Sequence, residues 1–110
     1  MLNTYYIVDR ETLVAHKDFF HPQLGNHGID LPDGRLLVSA HFPDNHTNIE
    51  MWEAHPNVEA LPHPVFEGTK PIEDRHVQAL AHLGIQQGHT VLDVARVAGA
   101  IVSLMKFRHF

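Results

Sequence analysis

All seven prolines of this chain lie between Pro22 and Pro71. Proline lacks a backbone donor and its ring clashes with the preceding helical turn, so the proline-free first 21 and last 39 residues are where uninterrupted structure is expected. From His55 to Pro71 the chain reads as extended and proline-rich, which disfavours a central strand there.

In the first zone, Thr4-Tyr5-Tyr6-Ile7-Val8 is aromatic and β-branched and predicts a strand. Asp9 stands at an N-cap position before Arg10–Lys17, with Glu11 in the first turn, and predicts a short helix that ends before His21-Pro22. In the middle zone, Leu31-Pro32-Asp33-Gly34-Arg35 is a turn signal joining strands at Gly28–Leu31 and Arg35–Phe42. Leu36, Val38, Ala40 and Phe42 share one face of the second strand, with Leu37, Ser39 and His41 on the other. A turn at Pro43–Thr47 leads to a further strand at Ile49–Ala54, and Val58 and Leu61 add a short edge strand.

The last zone predicts two helices. Pro71 opens the first, with Glu73 and Asp74 in its first turn and Ile72, Val77, Leu80 and Leu83 as its buried stripe. Gly84 takes the left-handed position that ends it, and Ile85 folds back on Leu80. Gly88-His89-Thr90 caps the second, in which Val91, Val94, Ala95, Ala98, Ile101, Val102 and Met105 recur at helical spacing. Gly99 leaves open an early end, with residues 101–107 as a final strand. The fold class is therefore α+β in a single domain over residues 1–110: an antiparallel sheet of about four strands, with the C-terminal pair of helices packed on one face.

Composition excludes several functions. With no cysteine there is no disulfide framework, thiolate zinc site or thiol nucleophile. The start carries no basic segment followed by an apolar one, and no apolar run approaches the ~20 residues that span a bilayer, so the expected setting is cytoplasmic with no membrane partner. Eight basic residues spread singly, in a chain of net charge -5, provide no stripe for a nucleic acid. Serine occurs only at Ser39 and Ser103, neither in a nucleophile elbow, and no glycine loop has phosphate-cradling spacing.

The unusual total is eleven histidines. A metal site needs three or four imidazole or carboxylate ligands converging on a point. Pairing of the strands on either side of the His46 turn would gather His41, His46, Glu53, His55 and His63 at one sheet edge, and a divalent transition metal is the cofactor such a cluster would hold. His76 and His82 lie about 120° apart around a helix and read as structural, His82 favouring the helix dipole.

Two stretches resemble known families. Leu80-Ala81-His82-Leu83-Gly84-Ile85-Gln86-Gln87-Gly88-His89-Thr90 resembles the Leu-Gly-Ile…Gly-His stretch near the end of SAM interaction domains, over those residues alone. The order strand, helix, strand, strand, with Glu50-Met51-Trp52-Glu53 followed by His55 and His63, is similar to ferredoxin-like αβ-barrel monooxygenases, although prolines after Trp52 interrupt the helix such a protein has there. Three functions follow as expectations. The first is a non-enzymatic protein-interaction module acting as a homodimer, in which a second copy covers a sheet edge or the apolar helix. The second is a histidine-based metal-binding protein or metal-dependent enzyme. The third is the small-molecule enzyme that the second resemblance implies, with His41, Trp52 or His55 orienting an aromatic substrate. The third predicts a pocket between sheet and helices where the first predicts a filled core.

Overall fold

The computed structural model describes residues 4–20, 27–40, 42 and 46–105. Strand β1 (Thr4–Asp9) runs directly into helix α1 (Arg10–Ala15), because the Asp9 carboxylate accepts the Thr12 N–H at 3.0 Å and caps the helix. A 3-10 turn at Lys17–Phe19 follows. Strands β2 (His27–Asp30) and β3 (Arg35–Ala40) form a hairpin closed by Leu31–Gly34. Gly34 sits there at φ 91°, a conformation that side chains disfavour.

Residues 46–53 correct the sequence reading. The strand expected at Ile49–Ala54 is instead helix α2 (His46–Glu53). A strand would have set Trp52 beside Glu50 on one face. In the helix, Ile49 and Trp52 are three apart and share a side, and Trp52 is fully buried against the rings of Tyr6 and Phe20. The fourth strand is supplied by the proline-rich segment as β4 (Val58–Ala60), where an edge strand was expected.

The sheet is antiparallel throughout, in the order β2-β3-β1-β4. Tyr6 stands opposite Val38 on one side and Ala60 on the other. The alternation of β1 then divides the interior in two. Tyr6 and Val8 join Leu36, Val38, Leu13, Phe20, Phe42 and Trp52 on one face. Ile7 joins Ile29, Leu37, Leu61, Leu80, Val91, Val94 and Ala98 on the other. Both faces are covered, so β1 is apolar along its centre rather than alternating with polar residues.

After β4 come a short helix α3 (Pro64–Glu67), which the sequence reading lacked, then α4 (Asp74–Leu80) and α5 (Val91–Met105). Pro71 does not open α4 but bridges to Thr90, and α4 starts after Glu73. A 3-10 turn at Ala81–Leu83 ends at Gly84, whose φ of 93° is the left-handed stop, and Ile85 and Leu80 share the second cluster. Helix α5 starts with a reciprocal cap: the Asp93 carboxylate accepts the Thr90 N–H at 2.8 Å, and the Thr90 hydroxyl accepts the Asp93 N–H at 3.4 Å. It passes through Gly99 unbroken, so residues 101–105 are helix. Among the described residues no helix is long and apolar enough to cross a membrane.

Candidate functional site

His76 and Leu80 are four apart in α4, so the face of the helix that buries Leu80 also buries His76. Only 2% of His76 is exposed. Neither of its ring nitrogens has a hydrogen-bond partner among the described residues. Buried polar groups are almost always paired, and an imidazole left with two empty sites is the main exception in this interior. Burial pushes the imidazole below its ordinary pKa, and the neighbouring Arg75 guanidinium pushes the same way, against the pull of Glu59 and Glu73. The ring is therefore neutral at physiological pH, with one nitrogen to donate and one to accept.

His76 forms part of the wall of a cavity of about 580 Å3. The wall is assembled from β1, α2, β4, α3 and α4, with Phe42 and the Leu61–His63 segment between. Tyr6, Phe42, Ile49 and Leu61 give it an apolar side. The Tyr6 ring is fixed edge-on to Phe42 and Trp52, at centroid distances of 6.0 and 5.7 Å. Its hydroxyl donates to Glu53 Oε2 at 2.7 Å. Burial, aided by the Glu53 carboxylate, holds the phenol well above its usual pKa, so it stays a donor and orients that carboxylate.

The remaining charges at the wall are partnered. Glu67 faces Lys70 at 3.7 Å, and Glu73 accepts from Arg75 at 2.8 Å. Beyond them Arg75 also donates to Glu59, which binds Arg35, and Arg35 in turn holds Asp33. A smaller cleft of about 230 Å3 lies over Arg35 and Arg75, whose guanidiniums are thus already occupied by carboxylates.

The residues expected at a metal site divide. His41 lies outside the described residues, as does the side chain of His46, the first residue of α2. Glu53 and His63 come to the wall of the same cavity. His63 is also the N-cap of α3, its Nδ1 accepting the Val65 N–H at 3.2 Å. His55 belongs to the turn after α2: its Nδ1 accepts the Asn57 N–H at 3.1 Å and its ring lies 5.1 Å from that of His16. Among the described residues, no three His, Asp or Glu side chains gather as a metal site would require. The expected strand pairing across the His46 turn is replaced by α2, which removes the geometry meant to gather them. Trp52 lies in the aromatic cluster and not in the cavity wall.

Tyr6 and His76 are the wall residues that sequence reasoning missed. The available signal was a histidine at a core position of the α4 stripe, which read as structural. What the arrangement offers chemically is a carboxylate contacted by a phenol in a cavity of ligand size, backed by a neutral imidazole whose nitrogens are shut off from solvent and have no partner among the described residues. No known protein family, curated protein or solved structure matches this chain.

Proposed function

We propose that this chain binds a small organic molecule in the 580 Å3 cavity, and that the His76 imidazole, whose nitrogens are shut off from solvent at the wall, turns to present one of them as its polar anchor. The observation that carries this reading is the imidazole of His76, buried at the wall with neither nitrogen partnered among the described residues. Leaving such a group unsatisfied costs about 1–3 kcal/mol. A ligand that supplies the missing hydrogen bond recovers that cost on binding. The volume falls within the ~300–1,000 Å3 typical of small-molecule sites, and the mixture of an apolar side with a few polar groups is the usual composition of one.

The test is an NMR screen of isotope-labelled protein against a mixed library of small polar organic compounds. Hits should shift the resonances of Tyr6, Glu53 and His76 together, and His76→Gln should weaken them. Hits scattered over the surface, or unaffected by that substitution, overturn the reading.

A second reading, self-association as an interaction module, is supported by a different surface. Val65 and Phe66 on α3 and Leu92 in the first turn of α5 are exposed, Phe66 by 83%, and the two helices are tied by a Leu92 N–H to Gly68 carbonyl bond of 3.1 Å. Adjacent exposed apolar side chains of this kind suit a second copy. Light scattering at micromolar concentration should give a dimer that Phe66→Glu converts to a monomer. A monomer before the substitution rejects it.

A further inference from the structure

We infer that the ligand of this cavity is an organic cation with an apolar body: its ammonium group is held by the Glu53 carboxylate and its hydrocarbon part lies against Tyr6, Phe42, Ile49 and Leu61. The inference rests on the cavity being a ligand site and adds the charge of what enters it.

The charge balance of the wall carries the argument. Three carboxylates line it, those of Glu53, Glu67 and Glu73, against a single lysine, Lys70. Lys70 is taken by Glu67, and Glu73 is taken by Arg75 from outside the wall. Glu53 is different: among the described residues it has no ion-pair partner, and its one polar contact is the neutral Tyr6 hydroxyl. That contact engages Oε2 and leaves Oε1 to accept from something else. An ammonium is the group that answers an oriented carboxylate with a full charge and several donors.

The buried His76 imidazole is neutral, so it adds no positive charge that would compete for the site. An anionic ligand would meet three carboxylates and find one lysine already engaged. The apolar side includes the Phe42 ring, held edge to face against the buried Tyr6 ring at 6.0 Å, and an aromatic ring attracts cations as well as hydrocarbon.

Three compounds of one shape and different charge test this on the full chain: 2-phenylethylamine, 2-phenylethanol and 3-phenylpropanoate, each titrated while the backbone amides are followed by NMR. The amine should saturate shifts at Tyr6, Glu53 and His76 with at least tenfold higher affinity than the alcohol, and the propanoate should give no saturable shift there. Glu53→Gln keeps an acceptor for the Tyr6 hydroxyl and removes the charge. It should cut the affinity for the amine about tenfold and leave that for the alcohol unchanged, so the alcohol also reports that the cavity has survived the substitution. If the alcohol or the propanoate binds in the cavity as tightly as the amine, or if the amine is indifferent to Glu53→Gln, the cation is rejected and the cavity stands as a ligand site. If none of the three gives saturable shifts at those residues, the cavity reading falls with it.

Discussion

Replacing His76 with leucine should stabilise this protein. The imidazole is 98% removed from solvent, neither nitrogen has a partner among the described residues, and one turn along the same helix face stands Leu80. An unsatisfied buried group costs about 1–3 kcal/mol, and fitting a side chain of different shape gives back up to ~1.5 kcal/mol. A net gain of about 1–2 kcal/mol is expected at pH 7.5. For a chain of this length the entropy of unfolding converts each kcal/mol into about 4 °C, so the melting temperature should rise by about 4–8 °C. The gain should grow in acid. The folded-state pKa of His76 lies below its unfolded value near 6.5, so the unfolded chain binds the proton more readily. The contribution of neutral His76 is thus fully present above about pH 6.5 and is lost as the pH falls through the folded value. Leucine has no proton to bind, and the gap between the two proteins should widen from pH 7.5 to 5.5, by at most ~1.4 kcal/mol per pH unit. Urea titrations followed by circular dichroism at both pH values measure it. A variant destabilised by 1 kcal/mol or more at pH 7.5, or a gap that does not change with pH, would mean that the ring is satisfied in the folded protein, and the reasoning about the cavity would lose its main support.

Thr90→Ala should cost about 1 kcal/mol by removing half of the cap that starts α5, with Thr90→Ser recovering most of it in the same urea titration. Trp52→Ala should cost about 3–5 kcal/mol, because the indole is fully buried among Tyr6, His16 and Phe20. Trp52→Phe should cost clearly less in thermal melts, since the indole Nε1 has no hydrogen-bond partner among the described residues for the substitution to remove.

Local signals carried much of the fold. Asp9 before a helical stretch, Pro32-Asp33-Gly34 between two segments with apolar residues, Gly84 after an apolar stripe and Thr90 three residues before Asp93 each act within a few residues, and each element they delimit is present. Residues 46–53 misled for a physical reason. Ile49-Glu50-Met51-Trp52-Glu53 alternates apolar and mixed character as a strand does, and what selects the helix is distant: the pocket of rings from Tyr6, His16 and Phe20 into which Trp52 fits. The site was less legible than the fold, because its wall draws on five elements that share no motif. Glu53 and His63, expected among the metal ligands, both line the cavity, while His76 reads from the sequence as structural because it lies near the Leu80-Leu83 stripe.

Strand β1 has a consequence for how the molecule comes apart. Tyr6, Ile7 and Val8 are each wholly removed from solvent, yet Tyr6 and Val8 belong to the aromatic cluster and Ile7 to the aliphatic one. Three adjacent residues therefore bind two helical layers into one cooperative unit. Neither layer can open fully while the other holds, since releasing Tyr6 or Val8 disturbs the peptide that anchors Ile7. The amides of β1 should therefore exchange with solvent only through global unfolding, so that the strand would measure the stability of the whole.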